Sequence, residues 1–300
     1  MLARLMALFA VVTLTFLMMK SLPGDPFNAE QALPKEIHHA LREHYGLNDP
    51  WLIQYGRYLK GILTWDLGPS FRYKDRTVNK IIAESFPISA TLGATALLLA
   101  LSIGILGGTA AALLHGRREE TLILIALALG ISVPSFILGT LLQYFVALKW
   151  GLLPLARWGS FSHVILPALA LAAMPSAFIA RLVRSNLIET LQQDYIRTAR
   201  IKGLSETRIL VVHALRNALL PVVTYLGPLT ANILVGSFVI EKIFAIPGLG
   251  QWFVNSVLNR DYTVIMGLTV FYSLILLSAT TLVDFAYGLL DPRLRRRATC

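Results

Sequence analysis

Apolar positions along this chain fall into long uninterrupted runs rather than into the short periodic patterns of a soluble core. Bounded by the nearest charged residues, the runs are Leu5–Met19, Ser85–His115, Thr121–Leu148, Ser160–Ala180, Asn217–Ile240 and Tyr262–Val283. A helix needs about 20 apolar residues to cross the hydrocarbon core of a bilayer. Five runs reach that length, and Met1–Arg4 extends the first, with the arginine snorkelling to the interface. The pattern predicts an all-α membrane protein of six spans. Leu5–Met19 also has the look of a secretory signal, but Lys20-Ser21-Leu22-Pro23 offers no small-residue cleavage site, so an uncleaved first span over 1–20 is expected.

Between the first two spans, residues 21–86 read as short helices rather than disorder. Pro34 opens a helix that Gly46 closes. Asp49 at an N-cap and Pro50 at the first helical position start a second, running through Ile62. Trp51, Tyr55, Tyr58 and Trp65 are amphipathic aromatics suited to a membrane surface or a partner. The apolar residues here are too few for a separate core, so this region is expected to pack on the bundle. In the second span Gly104 and Gly108 form a small-xxx-small pair that lets helices approach, either within one subunit or between two copies. Pro134, Pro167 and Pro175 predict bends in the third and fourth spans.

Composition sharpens this picture. Hydrophobic residues make up 55% of the 300 and charged ones 15%, against about 25% charged in soluble domains. A net charge of +10 would suit nucleic acid, but the placement of the 27 Lys and Arg points to topology instead. Fourteen fall on one side of the spans: Arg4, Arg117, Arg118, seven between Arg181 and Arg216, and four in Arg293–Arg297. The short segments on the other side hold Lys149, Arg157, Lys242 and Arg260, and the remaining nine lie in Lys20–Lys80, a connection long enough to escape the rule. Both termini, including the basic tail 291–300, are thereby expected to be cytoplasmic. The single cysteine, Cys300, forms no internal disulfide.

Signatures of catalysis are missing: no H-E-x-x-H, no G-x-S-x-G and no phosphate-binding G-x-x-x-x-G-K-[ST]. His38 and His39 diverge on a helix, and His163 and His213 read as structural. Asp284 sits near the end of the last span, where interfacial hydrogen bonding suits it. No chain of ionisable groups runs through the spans, as a proton-driven secondary transporter or a membrane enzyme would need.

One polar island remains, about 186–217. Leu187, Ile188, Leu191, Tyr195, Ile196 and Ala199 recur at helical spacing, and Glu189, Gln193, Arg197 and Arg200 occupy the opposite face. Gly203 can adopt the left-handed conformation that stops a helix, and Ser205 can cap a new one through Ile209, Leu210 and His213. A helix on anionic lipid gains nothing from a sharp glycine turn. A rigid bent knob on the cytoplasmic surface suits a protein cleft.

The sequence Tyr195-Ile-Arg-Thr-Ala-Arg-Ile-Lys-Gly203-Leu-Ser205, continuing to His213-Ala-Leu-Arg-Asn-Ala-Leu-Leu-Pro221, resembles the cytoplasmic loop of type I ABC importer permeases (MetI-like), in the oligopeptide/dipeptide branch. Leu22-Pro-Gly-Asp-Pro26, Tyr45-Gly-Leu-Asn-Asp-Pro50, Gly68-Pro-Ser70, Ser132-Val-Pro-Ser-Phe136, Glu241-Lys-Ile-Phe-Ala-Ile-Pro-Gly-Leu-Gly250, Asn259-Arg-Asp-Tyr262 and Asp291-Pro-Arg293 agree in order along nearly the whole chain. The extended outer region is similar to that of the B-type subunit. Arg197-Thr198-Ala199 replaces the Glu-Ala-Ala of the broader superfamily, and Arg216 replaces a usual proline; both are usual in the peptide branch.

The resemblance implies a permease core over 87–290 and a coupling helix, with Arg197, Thr198, Ala199, Arg200, Lys202, Gly203, Leu204 and Ser205 seated against a cytoplasmic ATPase. It implies two ATPase subunits that bind the ATP and Mg, no cofactor in this chain, a second (C-type) permease subunit and an extracytoplasmic substrate-binding protein. Glu241, Phe244, Pro247, Gly248 and Gly250 are candidates for touching that binding protein, or equally for a glycine-turned connection. Cargo would be oligopeptides or dipeptides, with nickel, glutathione or a short oligosaccharide as alternatives in the same machinery, in the inner membrane of a prokaryote. No nucleic-acid partner is implied.

Overall fold

Long apolar runs in lipid satisfy their backbone only within helices, and the computed structural model of the chain is correspondingly helical. It describes residues 2–21, 35–236 and 238–290. Among the described residues four helices are long and apolar enough to cross a bilayer: α1 (Leu2–Ser21), α4 (Val78–Leu113), α7 (Ser162–Leu191) and α14 (Tyr262–Leu290). Two further pairs of helices pass the same measure together but are sharply bent, and with each pair counted as one span the number is six. The Leu22–Pro26 and Asp291–Arg293 motifs, the tail 291–300 and the side chain of Asp284 lie outside the described residues.

The first bent pair lies at Pro134, where a bend is expected, and the run 121–148 is broken there into two helices. Helix α5 (Arg118–Ser132) stops at Val133, which is extended, and α6 (Ser135–Leu142) restarts after Pro134 and runs into a π-helical stretch, Gln143–Lys149. The arms meet at 104°. Proline disfavours the helical region for the residue before it, and the Pro134 carbonyl then accepts the first bonds of α6, from Ile137 and Leu138 at 3.0 Å each. Pro167 and Pro175, by contrast, sit inside an unbroken α7. The second bent pair joins α9 (Glu206–Arg208), a π-helical stretch Ile209–Ala214 and α10 (Leu215–Ala218) to α11 (Leu220–Gly236) at 50°. Pro221, with no N–H to give, breaks the ladder there.

The chain divides into two compact units. One comprises residues 1–89 and 247–277. It contains α1, α2 (Lys35–His44), α3 (Trp51–Thr64) and α13 (Leu249–Leu258). Gly46 closes α2 with paired bonds, Leu47 N–H to the Arg42 carbonyl at 2.8 Å and Gly46 N–H to Glu43 at 3.0 Å. At the start of α3 the cap is Pro50, not Asp49, whose carboxylate instead accepts from Arg57 at 2.6 Å. The helix runs on to Thr64. Tyr55 and Tyr58 face Phe16 of α1 at 5.1 and 5.9 Å between ring centroids. The outer segment thus packs on the first span. A core of Leu67, Val78, Ile81, Leu249, Val264 and Leu268 closes the unit.

The other unit comprises 90–246 and 278–300, and α7 is its most enclosed long helix. The Gly104/Gly108 pair meets α7 of its own chain, not a second copy. A Cβ at Gly108 would lie 2.5 Å from the Ala180 carbonyl oxygen and 2.8 Å from the Val183 Cβ. Gly108→Val therefore prises α4 from α7. Overpacking of this kind costs about 1–3 kcal/mol. It should lower the melting temperature of the detergent-solubilised chain, and an unchanged melting curve would refute this contact. On the same unit Glu120, 6% exposed, binds three elements together. Its carboxylate accepts from Gly116 N–H at 2.7 Å and from Arg184 Nε of α7 at 2.6 Å, with His115 Nδ1 at 3.1 Å.

Candidate functional site

The basic island is built on an apolar floor. Leu187 from the last turns of α7, Ile196 of α8 (Asp194–Ile201), Ile209 and Ala214 of the π-helical stretch, Ala218 of α10 and Ala112 of α4 form one buried cluster. The expected continuous stripe from 186 is broken in fact. Helix α7 ends at Leu191, Gln193 is extended, and α8 begins afresh with Asp194 in its first turn, where a carboxylate suits the helix dipole. The break turns Ile196 onto the same floor as Leu187.

Gly203 ends this short helix as its sequence position predicts. Its φ is +76°. Gly203 N–H donates to the Arg200 carbonyl at 2.9 Å and Leu204 N–H to the Ala199 carbonyl at 3.2 Å, the paired bonds of a left-handed helix stop. Leu204 then packs down on the cluster. Ser205 occupies the N-cap of α9 by its extended backbone, but its side chain makes no capping bond. Two polar ties span the turn and the knob. Arg200 reaches Glu206 twice, Nε to Oε1 at 2.9 Å and Nη2 to Oε2 at 3.2 Å, and this bonding raises the Arg200 pKa further. Asn217 Nδ2 donates to the Tyr195 hydroxyl at 2.7 Å. Exposed ion pairs of the first kind stabilise weakly; their use here is to hold the two arms at one angle.

Six of the eight residues expected at the docking centre are exposed: Arg197, Thr198, Arg200, Lys202, Gly203 and Ser205. Leu204 is half-buried, and Ala199 is 7% exposed. Ala199 therefore belongs to the floor and cannot stand at the centre of a contact in this geometry. Reading by motif also passed over Ile201, which is 85% exposed between Arg200 and Lys202. An isoleucine outside the stripe defined by Ile196 and Ala199 was the available signal.

The second set of candidates is differently placed. Glu241 is 0% and Phe244 1% exposed. The Phe244 carbonyl accepts from Arg157 N–H at 2.8 Å, and its ring packs on Gly139. Gly248 and Gly250, in the other unit, are buried too, and of the five only Pro247 is exposed. Four of them are packing residues in this structure. The reason is the tight chain reversal after α12 (Phe238–Ile243), where Ile246 N–H returns to the Glu241 carbonyl at 2.8 Å.

The same unit as Pro247 holds a tie that no local pattern announces. Asp261, 1% exposed, accepts from the Ser70 hydroxyl and from Phe71 N–H at 3.2 Å. Ser70 Oγ in turn accepts from Tyr73 N–H at 2.9 Å, and Asn259 Nδ2 donates to the Tyr73 hydroxyl at 3.2 Å. Among the described residues no group of three His, Cys, Asp or Glu side chains is placed to hold a metal ion. His163, read as structural, bonds Ser160 Oγ at 2.8 Å.

Comparison with known proteins fits this architecture. Residues 104–296 match the family described as binding-protein-dependent transport system inner membrane component. The dipeptide transport system permease protein DppB of Bacillus subtilis (strain 168) is 51% identical over 96% of this chain and 94% of its own length. The oligopeptide transport system permease protein OppB of Salmonella typhimurium is 44% identical over 96% and 95%. Among solved structures, an inward-facing form of the MetNI methionine ABC transporter has a TM-score of 0.55 at 18% identity, covering 70% of this chain and 94% of its own. That last likeness is one of fold.

Proposed function

Because the chain belongs to the family of binding-protein-dependent transport system inner membrane components, we propose that it is the transmembrane permease subunit of an ATP-driven importer carrying dipeptides or oligopeptides across the cytoplasmic membrane. The observation that carries the cargo is the agreement with dipeptide and oligopeptide permeases over nearly the full length of the chain. The observation that supports the coupling is the knob at 194–205, whose exposed cationic face rests on a buried floor shared with α4 and α7.

In this reading the knob seats in an acidic-rimmed groove of a cytoplasmic ATPase. Arg197 and Lys202 meet the rim, and the Gly203 turn sets the angle of entry. A knob that shares its floor with two spans moves with them, so closure of two ATPase subunits tilts α4 and α7 as a body, and access alternates between the two sides. A second permease subunit completes the pathway and a substrate-binding protein delivers the peptide. Pro247, the exposed member of the set, remains the candidate contact for that protein.

Purification of the tagged chain from its native membrane in mild detergent tests the proposal. A second permease and one or two ATPases should be recovered with it, and a cysteine at Ser205 should cross-link to an ATPase. Recovery of the chain alone or as a homodimer, under conditions that preserve other membrane complexes, would overturn the coupling assignment.

A further inference from the structure

A cavity of about 390 Å³ lies among α1, α3, the connections 45–47 and 66–71 and the first turns of α14. Among the described residues three cations line it, Lys20, Arg57 and Lys60, and one carboxylate, Asp66, whose Oδ1 accepts from Gly68 N–H at 3.2 Å. Arg57 is held by Asp49, and Lys20 donates one of its three protons to Gln54 Oε1. Tyr58 also lines the space, with its hydroxyl oxygen buried out of contact with it.

Polarity in this cavity is layered. Phe16 lies one helical turn, about 5.4 Å, before Lys20 on α1, and Met266 lies one turn into α14 from Tyr262; all four line the space. Because α1 and α14 are membrane-spanning in length and composition, the charged layer sits at the bilayer boundary and the apolar layer just inside it. A second, apolar groove on α1, lined by Leu14, Leu17, Met18, Met19 and Ser21, shares Met19 with the cavity and lies on an exposed side of the helix.

We propose that this cavity binds the headgroup of an anionic phospholipid, its phosphodiester held by Lys20 and Lys60 and an acyl chain lying over Met19 in the adjoining groove. A soluble peptide would need polar partners at both ends of the space. A phospholipid has one polar end and one apolar end, as the cavity does.

The test uses the full chain, with the subunits it retains, in nanodiscs of phosphatidylcholine doped with phosphatidylglycerol. Native mass spectrometry then reads which phospholipid survives partial delipidation. One phosphatidylglycerol per chain should be retained in preference to phosphatidylcholine. Retention should fall about fivefold for each cation removed, in Lys60→Ala and further in the Lys20→Ala/Lys60→Ala double variant. Lys60 is exposed, so its single variant carries the test if the double one fails to fold. Glycerophosphoglycerol, the same phosphodiester headgroup without acyl chains, should not displace the lipid. No preference in the wild type, unchanged retention in Lys60→Ala, or displacement by glycerophosphoglycerol would each overturn the assignment.

Discussion

Transport should fall to background in Gly203→Val while the chain still inserts and assembles with its partners. The geometry makes this substitution an unusually clean probe of the backbone. A Cβ added at Gly203 meets nothing within 4 Å, so no collision contributes. What a side chain meets instead is its own main chain at φ +76°. The left-handed region costs an L-residue about 1–2 kcal/mol, and more when it is β-branched. Valine escapes that cost by returning to negative φ, which breaks the bonds to the Arg200 and Ala199 carbonyls and lifts Leu204 from the floor. A graded series follows. Gly203→Asn, which tolerates the left-handed region, should keep most of the activity, and Gly203→Ala should fall between. Substrate uptake into proteoliposomes containing the assembled complex is the measurement. Normal uptake by the valine variant in a normally assembled complex would remove the knob from the mechanism.

Asp261→Ala should destabilise the chain by about 3 kcal/mol, since hydrogen bonds to a charged group are worth about 1.5–3 kcal/mol each. Asp261 accepts from the Ser70 hydroxyl and Phe71 N–H, and Val264 N–H lies 3.4 Å away in the first turn of α14. Alanine leaves the Ser70 hydroxyl and the Phe71 N–H buried without this acceptor. Ser70→Ala should cost less, because the aspartate keeps its backbone donors. The two changes together should cost less than their sum, as expected of groups in one network. Thermal unfolding in detergent reads all three. Additive losses, or an alanine variant as stable as the wild type, would show that the two stretches are held by something else.

The spans were legible because lipid leaves the chain few choices, and the Gly203 stop because a glycine between two helical patterns has few uses. What escaped reading is non-local or geometric. Ser70 and Asp261 lie 191 residues apart, and nothing in either stretch names the other; Glu120 and Arg184 are a second such pair. The break at Gln192–Gln193 carries no glycine or proline, so the α7 stripe reads on into α8 without interruption. Glu241 stands in a motif beside a charged neighbour and reads as surface, yet the chain reversal at 241–246 turns it inward. Pro134 signalled a bend, but proline sets only the place. The 104° angle comes from the packing of both arms on α7.

That bend bears on how the protein enters the membrane during synthesis. Helix α5 has 15 residues, and α6 with its π-helical continuation has 8 and 7. At 1.5 Å per residue each arm is about 22 Å long, short of the roughly 30 Å of hydrocarbon. Neither arm is a competent stop for the insertion machinery, and both pack on α7, which is translated after them. The hairpin must therefore wait, half-inserted, until α7 arrives to fold against it. Ribosome stalling between residues 150 and 190 should trap the chain at that point, with the Pro134 hairpin still open to protease.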